Sequence, residues 1–525
     1  MADNIERTDD TDRTRTRTNA TASRRRFMQT AAGAGALAVG LGGGAVGSAA
    51  ADHDDRSPSR LERDGNLIVD ADGEEVELHG VAIADPKRID VTERARGKTV
   101  DQIIELATDA EQGWHANVIR LPIKATDVVE YPDSDSPEPV AFDEAQVRSY
   151  VEDHLDGAVQ KCADEGVYAL ISYHRDTNRP WTDGPLSEET ELLWDVVAER
   201  YADQDHVVFE PFHTPRGNSN YGVSGQALVD WWSDWLDTAQ PWVDTIRSHT
   251  DNLTIMGSPR YSQATFGAVI EEFDAENVGY SLHVYPAHGP TTPEDYDDFL
   301  VPVNYDGDGV SYDDETPAYD VAPVVLTSWG FDPDAPAAVG GAITREAARE
   351  ANWAEHDPDY GTHITEWLST RPVHSTARNF DPIWAPRMFE RDFEGEGFDN
   401  PYDPEQEVPN LVSDLPAEWN LLGGEYMGET IKEFLASGSE SAGGESAGGE
   451  STPEPSGPAG DLDDDGLVED VDGDGDQDID DMRAFADQFE SEEIQSNPGQ
   501  YDYNGDGDVD EYDILEFYHE LFRNN

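Results

Sequence analysis

Cysteine is nearly absent: Cys162 is the only one in 525 residues. A chain with one thiol cannot close a disulfide on itself, so packing has to hold its fold. Cys162 lies in Val159-Gln-Lys-Cys-Ala163 on a helical stripe and reads as a buried side chain rather than a reactive one. Basic residues are also scarce. The 34 Lys and Arg face 113 Asp and Glu, for a formal net charge of −79. This excludes nucleic acid and anionic membranes as partners. Acidity on this scale can signal disorder, but the apolar segments recur too regularly for that outside one linker. The better reading is adaptation to very high salt, a halophile's chain. At ~1 M salt a Debye length of ~3 Å screens the self-repulsion that would loosen the fold in dilute buffer. No stretch reaches the length and apolarity of a transmembrane helix.

The N-terminal region, 1–51, has the pattern of a targeting segment. Ser23-Arg24-Arg25-Arg26-Phe27-Met28 precedes a weakly apolar Ala/Gly run and then Ser48-Ala-Ala-Ala51. The pattern resembles a twin-arginine export signal with a small-residue cleavage site, which implies an extracellular protein. The run is too short and too Gly-rich for a membrane anchor.

Past residue 65 the chain alternates between two periods. Asn66–Asp70 and Glu75–Leu78, around Asp72-Gly73, read as a hairpin of the kind that plugs the bottom of a barrel. Eight candidate strands follow: Leu78–Ile83, Asn117–Ile123, Val167–His174, His206–His213, Asn252–Pro259, Val278–Pro286, Ala322–Gly330 and Val373–Asp381. Helical patterns separate them, including Val147–Glu165, Ser187–Tyr201 and Leu228–His249. This is the alternation of an α/β fold, a (β/α)8 TIM barrel over 65–435. The Asp/Tyr/Gly-rich stretch 300–320 reads as an inserted loop. Residues 437–460 repeat Glu-Ser-Ala-Gly-Gly and then become Pro-rich, the composition of a disordered linker.

Residues 461–525 carry a repeat. Asp470-Val-Asp-Gly-Asp-Gly-Asp-Gln-Asp-Ile-Asp-Asp481 returns as Asp502-Tyr-Asn-Gly-Asp-Gly-Asp-Val-Asp-Glu-Tyr-Asp513. Oxygen ligands fall at positions 1, 3, 5, 9 and 12 around a glycine. They are Asp470, Asp472, Asp474, Asp478 and Asp481, then Asp502, Asn504, Asp506, Asp510 and Asp513. A hard cation such as Ca2+ needs this spacing, because its oxygens must converge around a tight turn. Asp461–Asp472 offers an overlapping match, so two registers stand open for the first site. An apolar helical segment follows each loop. The pair resembles a dockerin, a small all-α calcium-loop module. That resemblance implies a cohesin-like protein partner.

Several strand ends resemble glycoside hydrolase family 5, the cellulase family. Asn117-Val-Ile-Arg120-Leu-Pro matches its Asn-x-x-Arg-x-Pro, whose arginine supports the nucleophile. Tyr173-His174-Arg175 matches an aromatic-His pair on the rim. His283-Val-Tyr285 matches a His-x-Tyr motif whose Tyr contacts the nucleophile. Val324-Val-Leu-Thr-Ser328-Trp329-Gly-Phe-Asp-Pro matches Val-x-x-Thr-Glu-Trp-Gly-Phe-Asp-Pro. Thr376-Ala-Arg378-Asn-Phe-Asp381-Pro resembles Thr-Ala-Trp-x-Phe-Asp-Pro. The resemblance implies a secreted protein that recognises a β-1,4-linked polysaccharide, glucan or mannan. The expected binding residues are Arg120, His174, His213, Thr214, His283, Tyr285, Ser328 and Trp329.

The departures fall on the chemistry. Retaining glycosidases use two carboxyl groups ~5–5.5 Å apart. The strand that the family ends in Asn-Glu-Pro here ends in His213-Thr214-Pro215, so Thr214 takes the acid/base position. Ser328 takes the nucleophile position, and Arg378 replaces a sugar-stacking Trp. No residue is assigned a catalytic role, and no cofactor is expected in the barrel. Glu210, four residues below Thr214, should lie deep in the barrel. Glu366 in Thr365-Glu-Trp367 mimics the nucleophile motif but sits in a helical pattern. Asp176 and Asp332 are the remaining rim carboxylates. Two other readings compete with impaired recognition. One is an active endoglucanase-like hydrolase using those other carboxylates, and the other is a scaffold component docking through its calcium module.

Overall fold

The computed structural model describes residues 57–132, 137–175, 179–216, 225–286, 292–302, 316–332, 360–392, 400–412, 415–424 and 426–442, with scattered positions from 467 to 509. The described residues belong to one compact unit, Asp54–Asn525. Ten strands are described. β1 (Glu62–Asp64) and β2 (Leu67–Val69) form an antiparallel hairpin. β3 (His79–Ala82), β4 (Val118–Lys124), β5 (Tyr168–His174), β6 (Val207–Glu210), β7 (Thr254–Met256), β8 (Val278–His283), β9 (Val324–Trp329) and β10 (Val373–Arg378) close into a parallel barrel in chain order. These are the eight strands that the alternating pattern predicts, shortened at their ends.

Alternation along each strand sorts the side chains between two environments. Ile119, Leu121, Ile171, Tyr173, Phe209, Leu282 and Leu326 face outward and join the helices in the main core. Val118, Leu170, Val208, Ile255 and Val325 face inward at the bottom, where they pack with Leu61, Ile68 and Leu78. The hairpin therefore does plug the barrel. Its first strand is Glu62–Asp64, ahead of the expected start. The expected partner, Glu75, makes only a single bridge with Val69. Two residues further up each inward stripe, the lining turns polar: Arg120, Ser172, Glu210 and Thr327.

The helices follow local signals. Asp143 caps the helix Glu144–Tyr150 by accepting from Gln146 N at 3.0 Å, and Gln146 bonds back to Asp143 N at 3.0 Å, a reciprocal cap. The helix continues through a π turn, Val151–Leu155, into Asp156–Glu165. It stops at Gly166, whose φ of 76° suits a residue without Cβ. Cys162 is buried on this helix, and burial pushes its thiol pKa up. Glu366 lies on the helix Tyr360–Thr370, which precedes β10. The last barrel helix, Gly428–Ala442, runs past Ser437 into the stretch expected to be linker. Among the described residues, no helix is long and apolar enough to cross a membrane.

Toward the C-terminus, Val468, Val471, Phe485, Ile494, Tyr501, Tyr503 and Val509 gather into a separate small apolar cluster. All ten expected calcium ligands lie outside the described residues. So do the N-terminal export motif, Asp176 and the core of the 300–320 insertion.

Candidate functional site at the barrel mouth

The strand ends bring four of the eight predicted residues, Arg120, His174, His213 and His283, into one buried network. Arg120 is its centre. Its Nε lies 2.7 Å from Glu210 Oε2, and its Nη2 lies 2.6 Å from the same oxygen. The same Nη2 donates to Ser172 Oγ at 3.1 Å and reaches His213 Nδ1 at 2.7 Å. Glu210 turns its other oxygen to Thr327 Oγ1 at 2.8 Å and Ser281 Oγ at 3.3 Å. His283 Nε2 meets Thr327 Oγ1 at 3.0 Å. The His174 ring stacks flat on His213, with centroids 3.9 Å apart, and His213 leans on His283 at 4.6 Å.

Ser328 is tied in from the side. Tyr285 OH and Ser328 Oγ are 2.6 Å apart. Strict alternation would send only one of Thr327 and Ser328 inward. The β8–β9 register shifts between Leu282 and His283, so His283 pairs with Ser328. This local irregularity lets both hydroxyls reach interior groups. Thr214 follows His213 and is half-buried. Trp329 does not join the mouth. Its indole is fully buried and packs edge-on against Phe434 at 6.1 Å, in the outer core. The expectation that it contacts sugar is corrected accordingly: past the irregularity, the strand turns it toward the helices.

Two features of the network are electrostatically incomplete. Arg120 Nη1 is buried and has no hydrogen-bond partner. A buried donor left so costs roughly 1–3 kcal/mol. His213 is flanked by guanidiniums on both ring nitrogens, Arg120 on Nδ1 and Arg378 Nη1 on Nε2 at 3.2 Å. A neutral imidazole has one N–H and one acceptor, so one of these contacts sets donor against donor. Burial, then the neighbouring His174, Arg120, His283 and Arg378, hold the His213 pKa well below its ordinary value. Burial, then Arg120, Arg378, Lys124 and His283, do the same to His174.

Ligand atoms of Glu210, His213 and His283 lie within 4.8 Å of one another, a two-histidine, one-carboxylate set of the sort that binds transition metals. The residues around it do not fit a cation. Arg120 already holds Glu210, and both His213 nitrogens face guanidinium hydrogens, so a divalent ion would sit against two fixed positive charges.

Several other described carboxylates are engaged elsewhere. Asp332 accepts from Arg387 N at 3.2 Å. Asp381 holds Arg96 at 2.6 Å, Asp127 holds Arg88 at 2.7 Å and Glu189 holds Arg175 at 2.6 Å. A surface groove of about 470 Å³ lies elsewhere, lined by Trp181, Asp230, Trp231 and Asp234 among others. Residues that the sequence reading left out of the site are Ser172, Ser281, Thr327 and Lys124, together with Glu210, which it placed only as a buried hydrogen-bonding group. For Ser172, Ser281 and Glu210 a signal was available as position along their strands, two positions from His174 and His283 and four from Thr214.

The family model of Cellulase (glycosyl hydrolase family 5) matches residues 69–339. The chain belongs to glycosyl hydrolase family 5. Among its curated relatives, endoglucanase C of Evansella cellulosilytica is 26% identical over 266 residues, 46% of this chain and 29% of that protein. Endoglucanase A of Butyrivibrio fibrisolvens is 24% identical over 226 residues, 43% of this chain and 45% of that protein. The chain thus spans less than half the length of either. A beta-glucanase structure from Saccharophagus degradans superposes with a TM-score of 0.50 at 20% identity, covering 73% of this chain and 94% of that one. That likeness is one of fold.

The buried histidines set a pH dependence. His174, His213 and His374 are neutral in the folded barrel, and burial lowers His374 to about 3. The unfolded chain takes up protons on them as pH falls through ~6.5, and the folded chain does not. Stability is therefore expected to drop below ~6.5, by up to ~1.4 kcal/mol per pH unit for each such histidine. Denaturant midpoints at fixed salt between pH 7 and pH 5 measure this. His213→Asn should flatten the slope, and an unchanged slope would show that His213 titrates normally in the fold.

Proposed function

We propose that this family 5 barrel recognises a β-1,4-linked polysaccharide, glucan or mannan, and hydrolyses it poorly or not at all. The observation that carries the reading is the pair of hydroxyls, Thr214 and Ser328, in the two carboxylate positions of a retained family network. An oxocarbenium-like transition state needs a proton donor and a negative partner, and neither hydroxyl supplies them near neutral pH. The relatives' names, endoglucanases, support a β-glucan ligand. Glu210 is a poor substitute, because Arg120 neutralises it and Thr327 and Ser281 hold its second oxygen. Glu366 sits on a helix rather than a strand end. The test is reducing-sugar release in multimolar salt on glucan, mannan and xylan, beside a pull-down on the insoluble polysaccharides. Saturable binding without turnover is the expected result. Turnover abolished by Glu366→Gln or Asp332→Asn would overturn it.

The same reading takes the chain as exported by the twin-arginine pathway into high salt, with a dockerin-like module that binds Ca2+ and docks to a cohesin-like partner. Residues 461–525 carry 24 acids and two arginines. Carboxylates crowded into two loops repel one another until a cation neutralises them. A chelator at fixed high salt is expected to melt this module and leave the barrel transition in place. Two unchanged calorimetric transitions after chelation would count against calcium.

A further inference from the structure

Two buried carboxyl groups and one guanidinium meet in the wall of the mouth. Asp85 follows β3 and Asp127 follows β4, and both are fully buried. Asp127 takes Arg88 with both oxygens, Nε at 2.7 Å and Nη2 at 3.0 Å. Among the described residues Asp85 makes no ion pair. Its oxygens accept two backbone N–H groups, Lys124 N at 2.8 Å and Arg88 N at 3.2 Å, so it caps the helix Pro86–Arg96. The Lys124 ammonium lies over Trp384, 4.7 Å from the ring centre. Two phenols complete the surroundings. Tyr150 is buried against the pair, and burial, then Asp85 and Asp127, push its pKa well up, so it brings no charge. Tyr402 donates to Asp127 Oδ1 at 2.8 Å, and burial, then Asp127 and Asp85, push its pKa up likewise. The remaining charges nearby are paired with one another, Lys87 with Glu130 at 3.2 Å and His154 with Asp90 at 2.6 Å. Two carboxylates against one guanidinium would leave a buried negative charge without a partner, which is costly. A proton on Asp85 removes that charge. Burial, then the charge of Asp127, push the Asp85 pKa up to about 8, against the smaller pull of the two backbone N–H groups and Arg88.

A strap, residues 400–412, covers this cluster. Asn400 Nδ2 donates to Tyr131 O at 2.8 Å, Leu411 N donates to Arg94 O at 2.9 Å, and Val408 packs on Ala95. The Tyr402 ring lies over Arg88, 5.4 Å from its Cζ. We propose that Asp85 is a proton latch: its proton lets the strap close over the two carboxyls, and the strap becomes easier to open as the solution becomes more alkaline. An opened strap admits water, where a carboxyl gives up its proton above pH ~3.9. The closed strap keeps the proton up to about 8. The closed-to-open ratio therefore falls with rising pH between those limits, by up to ~tenfold per pH unit for one proton, and is constant above them. The buried histidines act in the opposite direction on global unfolding, so the latch is read on local opening.

Hydrogen–deuterium exchange of 400–412 in the full-length protein reads that ratio, at fixed multimolar salt, from pH 5 to pH 9, corrected for the intrinsic pH dependence of exchange. Protection should fall by up to ~tenfold per pH unit as far as pH ~8 and then level off. Asp85→Asn should remove the slope. Asp127→Asn, which leaves Asp85 as the one carboxyl beside Arg88, should remove most of it. Infrared spectroscopy of the unmodified protein at pH 7 gives a second reading that needs no variant to fold. It should show the carbonyl band of a protonated carboxylic acid, absent from Asp85→Asn. PH-independent protection in the unmodified protein, or a slope that persists in Asp85→Asn, would overturn the latch. So would the lack of the acid band at pH 7.

Discussion

Thr214→Glu with Ser328→Glu is expected to raise reducing-sugar release by roughly two orders of magnitude or more over the unmodified protein, and neither single change should do so. General acid catalysis is typically worth ~10²–10⁴-fold, and the nucleophile acts with it as a unit, so one without the other gains little. The site is partly prepared for the second carboxylate. Tyr285 OH already meets position 328 at 2.6 Å. A carboxylate introduced at 328 therefore has that hydroxyl as a donor. The first carboxylate is less well served. A general acid must hold its proton near neutral pH, which calls for a raised pKa. Arg378 reaches the neighbouring His213 at 3.2 Å, and a guanidinium close to a new Glu at 214 would lower its pKa instead. The triple change with Arg378→Trp should therefore exceed the double. If the double and triple variants fold by circular dichroism and still match the unmodified protein, more than the two carboxylates has been lost.

The eight strands were legible because each is a short apolar run with helical spacing between, and a parallel barrel buries both faces of every strand. The hairpin's first strand was not. Glu62-Arg-Asp64 is polar, and it pairs because Arg63 ties Glu272 at 2.7 Å and because Leu61 beside it is buried in the barrel floor. Arg120, His174, His213 and His283 come together because each motif lies toward a strand end, and the ends of a closed barrel's strands converge. Trp329 was misplaced because a motif gives position along a strand but not the face, and the β8–β9 irregularity changes the parity after Thr327. Lys124 escaped notice for a different reason. One cation among scattered charges has no pattern, and its neighbour Trp384, with a ring centre 4.7 Å from the ammonium, arrives from the far end of the barrel sequence. Glu210 was expected to be deep and hydrogen-bonded, and it is. What the sequence could not supply was its partner, Arg120, ninety residues earlier.

That pair carries the second large effect. Arg120 and Glu210 are both fully buried, 2.6 Å apart. Burial lowers the Arg120 pKa, and the contact with Glu210 works against that shift. Removing one partner of a buried pair leaves the other charge uncompensated, at a cost of about 3–5 kcal/mol, whereas replacing both by apolar groups of similar size is often nearly neutral. Glu210→Ala is therefore expected to lower the unfolding free energy of the barrel by several kcal/mol and to free the hydroxyls of Thr327 and Ser281. Glu210→Gln should cost less, because its amide oxygen still accepts from Arg120. Glu210→Leu with Arg120→Met should recover most of the loss from Glu210→Ala. The measurement is the barrel's denaturant midpoint at fixed high salt, read on each variant. Similar midpoints for Glu210→Ala and the unmodified protein would mean that water reaches Arg120. In that case the mouth is more open than its buried side chains indicate, and the orphaned Nη1 has a solvent partner rather than a place for a ligand.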